Sequence, residues 1–276
     1  MVFRKNKAIF SHFATVILSI GIVFPFVWIF INSIKRQVDI YTGTLRFSPT
    51  WINYNRLLFS KQAHFIMNIT NSIIVAAGST LLVMLCATFM AYALDRFRWP
   101  KWVPNVFLGW TIVFRMIPPI TFVGSWYVLF RRIGLYNSLT GLMLTHVALN
   151  LPVATWLMMS FVQDAPRELE YAALIDGCGY AGAFFRIVLP LIAPGLVASS
   201  IISFVYSWNE FVVAVSLTTS DTETITVGIS KFAQLDVIQH GHMAAAAIIA
   251  TVPGLLVVYF GQKYIVKGLT LGALKS

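Results

Sequence analysis

Glu170-Tyr-Ala-Ala-Leu-Ile-Asp-Gly177, followed after nine residues by Ile187-Val-Leu-Pro190, is one of the few polar segments in a chain that is otherwise mostly apolar. Asp164 and Pro166 sit where a helix should begin: a capping carboxylate, then a proline in the first turn, where the missing N–H does no harm. Glu168 and Glu170 follow in that turn and suit the positive end of the helix dipole. Leu169, Ala172 and Ala173 fall on one face at helical spacing, so the two alanines leave a surface another protein could approach closely. Asp176-Gly177-Cys178-Gly179 should end the helix, with glycine in a left-handed cap. A second helix, over residues 180–188, should stop ahead of Pro190. The stretch therefore reads as a helical hairpin over residues 165–190. On residue chemistry alone, a plain connecting loop explains it equally well, because loops rich in Gly and Pro are ordinary.

Composition decides what surrounds this hairpin. Of 276 residues, 58% are hydrophobic and 11% charged, with a mean hydropathy of +0.78. Soluble domains carry about 25% charged residues, so the chain is an all-α integral membrane protein. Its net charge of +10 comes from short runs beside apolar stretches. That is membrane-flanking charge, not a nucleic-acid patch with interleaved stacking aromatics. The two cysteines, Cys86 in an apolar stretch and Cys178 in the hairpin, define no disulfide framework and have no zinc-ligand company. No Gly-x4-Gly-Lys-Ser/Thr phosphate loop occurs, so any ATP driving this protein is hydrolysed by another chain.

Residues 1–276 read as one transmembrane domain of six spans, over about 8–34, 71–94, 102–130, 139–162, 191–217 and 243–265. Each is near or above the roughly 20 residues a helix needs to cross the hydrocarbon. Pro25 should kink the first, Pro118-Pro119 interrupt the third and Pro152 lies within the fourth, and prolines occur in at least five of the six. Broken helices survive in lipid where neighbours or a water-filled cavity satisfy the freed backbone groups, which argues for a bundle lining a path. Six spans put both termini on one side. With the N-terminus inside, inner segments hold eleven basic residues (Arg4, Lys5, Lys7, Arg96, Arg98, Lys101, Arg167, Arg186, Lys263, Lys267, Lys275) against eight outside (Lys35, Arg36, Arg46, Arg56, Lys61, Arg131, Arg132, Lys231). The positive-inside rule then places the hairpin in the cytosol.

Glu-x-Ala-Ala-x3-Gly-x9-Ile-x-Leu-Pro resembles the cytosolic "EAA" signature of permease subunits of binding-protein-dependent ABC importers. Further stretches resemble the carbohydrate branch, in particular the second, shorter permease of maltose-type transporters. They are Asn71-Ser-Ile-Ile-Val, Ala91-Tyr-Ala-Leu-Asp-Arg-Phe97, Arg115-Met-Ile-Pro-Pro119, Ile133-Gly-Leu-Tyr-Asn-Ser138, Trp208-Asn-Glu-Phe211 and the tail Val266-Lys-Gly-Leu-Thr-Leu-Gly-Ala273. The resemblance implies a MetI-like type I importer permease in the bacterial inner membrane. It implies a solute-binding protein in the periplasm, a second, longer permease, and two cytosolic ATPase subunits that bind the ATP and Mg. It also implies that Glu170, Tyr171, Ala172, Ala173, Asp176, Gly177, Ile187, Leu189 and Pro190 couple the chain to an ATPase, and that the outer loop 218–242 meets the binding protein. One position departs from the pattern: the family's Glu directly before the two alanines is Tyr171 here, and Glu170 lies one residue earlier, about 100° round the helix.

Other polar residues are candidates for the path. Arg115 lies about 13 residues into its span, and a lone Arg there costs at least about 2.5 kcal/mol. It reads either as a path contact or as a tie to a carbonyl freed by Pro118-Pro119. Tyr206, Trp208, Asn209 and Glu210 combine aromatic and hydrogen-bonding groups, which suit a sugar path and equally an interfacial belt; for Trp208 the belt is the better reading. His146 reads as a helix–helix hydrogen bond. His240 and His242 would need further ligands to hold a metal, and neither a metal nor a catalytic constellation is indicated. An ion- or proton-coupled carrier is the alternative class. It should show mid-membrane acids and repeat symmetry, whereas Glu210 is the one acid inside a span.

Overall fold

The computed structural model describes residues 2–59, 64–100, 102–233 and 238–273, and within these the side chains of 12–59, 64–100, 102–233 and 238–263. Lys61, Lys101 and Lys275, and the side chains of Arg4, Lys5, Lys7 and the 266–273 tail, lie outside that description. Every regular element among the described residues is helical. Five helices are long and apolar enough to cross a membrane, or six spans if one bent pair is counted as a single span. The helices group into two compact units, residues 1–66 with 228–252, and residues 67–227 with 253–276.

The first unit contains α1 (Val2–Ser33), α2 (Gln37–Tyr41), α3 (Ile52–Phe59) and the beginning of α12 (His240–Ala273). The last carbonyls of α1 have no partner inside the helix. The buried Asn53 amide supplies one, donating at 2.8 Å to both Ser33 O and Lys35 O. Lys35 is buried rather than a free flanking charge: its ammonium donates to Thr44 O at 3.0 Å and lies 4.7 Å from the centre of the Phe47 ring. His240 and His242 have separate aromatic partners, Tyr41 and Phe232.

The second unit is built on α4 (Phe65–Arg96), α7 (Leu139–Asp164) and α10 (Leu189–Trp208). Ala87, Ala91, Ala154, Met158, Val162, Val188 and Ile192 form one buried cluster between them. Burial of such residues in lipid is van der Waals packing rather than hydrophobic expulsion, and small side chains let the backbones approach. A second cluster joins Val75, Phe130, Leu142, Val213, Ala214 and Leu217. Asn71 and Ser72 tie the start of α4 to the loop after residue 217. The Asn71 amide donates to Asp221 O and Glu223 O at 3.0 Å, and Ser72 Oγ accepts from Ile225 N at 2.7 Å.

Two expected spans are broken. Over 102–130 the chain forms α5 (Trp102–Met116) and α6 (Ile120–Ile133), bent by 96° at the break. Two consecutive prolines remove two donors, more than a gentle kink absorbs. Over 191–217 the helix ends at Trp208, and α11 (Val212–Leu217) begins beyond Asn209-Glu-Phe211.

Candidate functional site

The hairpin is present, with α8 (Arg167–Ile175) as its first arm. Gly177 has φ +87°. Cys178 N donates to Ala173 O at 2.9 Å and Gly177 N to Leu174 O at 3.2 Å, the paired bonds of a Schellman cap. The start differs from expectation. Asp164 is the last residue of α7, and the N-cap of α8 is Pro166, with no side-chain cap. The second arm differs too: α9 (Tyr180–Ala183) does not stop before Pro190 but runs through a π-helical turn, Phe184–Val188, into α10. A wider i→i+5 turn re-registers the ladder, so proline's missing N–H falls in the first turn of α10.

The faces of α8 also differ from the sequence reading. Ala173 is buried and Ala172 exposed, so the alanines do not share one open surface. Glu170 is only 4% exposed. The Tyr92 hydroxyl donates to its Oε1, and Arg96 Nε donates to its Oε2 at 2.9 Å. Glu170 therefore faces inward, toward α4. The outward face carries Leu169, Tyr171, Ala172 and Ile175, with Ile175 85% exposed. Asp176, Gly177 and Pro190 are exposed as well, and Ile187 and Leu189 half-buried.

A cavity of about 130 Å³ opens among α5, α7 and α10, lined by Phe114, Arg115, Ile117, Pro119, His146, Leu149, Asn150, Tyr206, Ser207 and Glu210. Among the described residues Arg115 makes no carbonyl tie; its partner is the face of Tyr206, 4.6 Å from guanidinium carbon to ring centre. Beside them runs a buried polar chain. Asn150 Nδ2 donates to Ser207 Oγ at 3.4 Å, the Ser79 and Ser207 hydroxyls are 2.7 Å apart, and His146 Nδ1 is 3.0 Å from Ser207 Oγ. His146 Nε2 faces Glu210 Oε2 at 3.6 Å. These contacts are best satisfied when Ser207 donates to Nδ1 and the ring hydrogen sits on Nε2, aimed at the carboxylate. Glu210 accepts from Val213 N at 2.8 Å and Ala214 N at 3.0 Å, so it caps α11.

The path candidates thus separate. Arg115, Tyr206 and Glu210 line the cavity; Trp208 and Asn209 do not. Trp208, 5% exposed, is neither path nor belt but stacks on Phe204 inside the unit, and the Asn209 amide donates to Val205 O at 2.8 Å. Sequence reasoning missed Asn150, Ser207 and Arg96. For Asn150 the signal was its i,i+4 spacing from His146, which puts both on one helix face.

Residues 83–271 match the family described as binding-protein-dependent transport system inner membrane component. The chain belongs to that family. Members are transport components, not enzymes, and this membership sets the carrier alternative aside. The permease is 33% identical to the sulfoquinovosyl glycerol transport system permease protein SmoH of Agrobacterium fabrum, over 95% of this chain and 92% of that one. It is also 33% identical to the trehalose/maltose transport system permease protein MalG of Thermococcus litoralis, over 98% of both. Its fold is that of a chain in the crystal structure of a bacterial ABC transporter that imports the acidic polysaccharide alginate, with TM-score 0.79, 19% identity, and 94% and 96% of the two chains covered.

Proposed function

We propose that the permease forms, with a second and longer permease chain, the route by which a saccharide or sugar derivative crosses the bacterial inner membrane. A periplasmic binding protein delivers the sugar. Two cytosolic ATPase subunits, which hold the ATP and Mg, drive the cycle, and the 165–190 hairpin docks on one of them. Both termini then lie in the cytosol. Relatives named for sulfoquinovosyl glycerol, trehalose/maltose and diacetylchitobiose support the substrate class.

The observation that carries the coupling is the two-sidedness of α8. Leu169, Tyr171 and Ile175 stand exposed on this chain while Glu170 holds the opposite face from behind. Exposed apolar residues on a rigid, otherwise polar projection mark a protein contact. Tyr171, at the position of the family's glutamate, docks by packing, and Glu170 positions it. Arg115 with Tyr206, beside the polar chain of His146, Asn150 and Ser207, forms this chain's share of the path.

Reconstitution tests the reading. Proteoliposomes holding both permeases and the ATPases, supplied with the binding protein, should take up sugar only with ATP, and uptake should survive collapse of ion gradients. Gradient-driven uptake by this chain alone would overturn it.

A further inference from the structure

Arg96 was counted in the sequence as a flanking charge, yet its side chain is only 5% exposed. Its guanidinium bonds four ways. Nε donates to Glu170 Oε2 at 2.9 Å and Nη1 to Asp95 Oδ2 at 2.5 Å. Nη2 donates to Val162 O at 3.0 Å and to Ala165 O at 2.7 Å. Asp95 in turn accepts from Arg167 Nη2 at 3.0 Å, and Tyr92, one turn before Arg96, donates to the other oxygen of Glu170. Three pieces of chain meet on this one side chain: the end of α4, the end of α7 and the first turn of α8.

The covalent connections make the contact informative. The hairpin continues directly into α10 and follows α7 with Ala165 and Pro166 between them, so its movement reaches those helices through the backbone. No such continuity joins it to α4, which lies 74 residues away along the chain. A buried, multiply bonded arginine is a rigid junction, because its planar fork fixes direction as well as distance.

We infer that Arg96 is a positioning residue for transport: it clamps α4 to the hairpin, so that a displacement imposed on α8 by the ATPase carries α4 along as part of the same rigid body. The inference rests on the proposed docking of the hairpin. It adds a route from the hairpin into the span that carries Ser79 and the core residues Val83, Ala87 and Ala91.

Spin labels test this in the assembled importer. Cys86 and Cys178 are replaced by Ser, and labels are placed at Tyr180→Cys on the hairpin and Trp99→Cys just beyond α4, both exposed. With Arg96 intact, the label-to-label distance should stay constant between the nucleotide-free and ATP-bound states. With Arg96→Lys, which keeps the charge but cannot make the fork, it should differ between the two states, and sugar moved per ATP should fall about 5- to 10-fold while the ATPases still co-purify. A wild-type distance that changes when ATP binds overturns the clamp, and this measurement needs no Arg96 variant to fold. An Arg96→Lys importer with wild-type coupling overturns it as well. Docking is read separately, from cross-linking of Ile175→Cys to an ATPase: its absence sinks the docking itself, whatever the distances show.

Discussion

A Cβ placed on Gly195 would stand 2.1 Å from Cγ of the Phe161 ring, so α10 and α7 cross where only a hydrogen fits. Overpacking of this kind typically costs about 1–3 kcal/mol. Gly195→Ala should therefore lower the unfolding temperature of the permease in detergent. Adding Phe161→Leu, which opens the space, should recover part of the loss. An unchanged Tm in the single variant would show that the crossing is looser than described.

The Schellman cap at Gly177 gives a second, separable prediction. No atom lies within 4 Å of a Cβ built there, so any effect of substitution is conformational. The left-handed region costs a non-glycine residue roughly 1–2 kcal/mol, and proline's ring forbids it. Gly177→Ala should weaken uptake modestly, whereas Gly177→Pro should abolish it while membrane levels stay normal on an immunoblot. Uptake that persists in the proline variant would remove the hairpin from the transmission route.

The contrast between these positions and Arg96 shows what the sequence made legible. The glycine cap, the helical character and the broken third span all follow from local rules about φ and missing donors, so residues 118–119 and 177 announce themselves. The π-helical turn over Phe184–Val188 does not, because whether a helix stops at Pro190 or widens past it is decided by what packs around it. The same holds for orientation. Helical spacing groups Ala172 with Ala173 but cannot say which side faces the bundle, and the chain turned Glu170 inward because Arg96 and Tyr92 wait there. That partnership spans 74 residues. Its trace in the sequence is the i,i+4 pair Tyr92 and Arg96 on one face of a span end, a pattern that flanking charge imitates.

Glu210 offers a test of cap against path. Its two oxygens serve the amides of Val213 and Ala214, and both of those residues are fully buried. Leaving a buried donor unsatisfied costs about 1–3 kcal/mol. Glu210→Ala should speed hydrogen exchange across residues 212–217 and lower the Tm. Glu210→Gln, which keeps one acceptor, should do less of both. Equal effects of the two variants would mean that the charge facing His146 matters more than the cap.

Arg115 should behave differently, since its one partner among the described residues is the face of Tyr206 and an exposed cation–π contact is worth only about 0.5–1 kcal/mol. Arg115→Ala should leave the Tm nearly unchanged but raise the KM for uptake several-fold at a normal membrane level, with Arg115→Lys in between. A large drop in Tm with an unaltered KM would assign Arg115 to structure rather than to the path.

Topology is the remaining prediction, and the two cysteines provide it. Cys86 lies within α4, and its exposure on this chain is within a span, where a membrane-impermeant maleimide does not reach it. Cys178 is half-buried in the cap of the hairpin, at the end of a polar segment. If the inner excess of basic residues, ten against seven once the buried Arg96 and Lys35 are left out, fixes the orientation through the roughly 1 kcal/mol that each juxtamembrane cation gains at an anionic inner leaflet, then Cys178 faces the cytosol. The impermeant reagent should label a Cys86→Ser permease in inside-out vesicles and leave it unlabelled in intact spheroplasts. The reverse pattern would invert the chain, put the hairpin beyond the reach of any cytosolic ATPase, and remove the physical basis for coupling through α8.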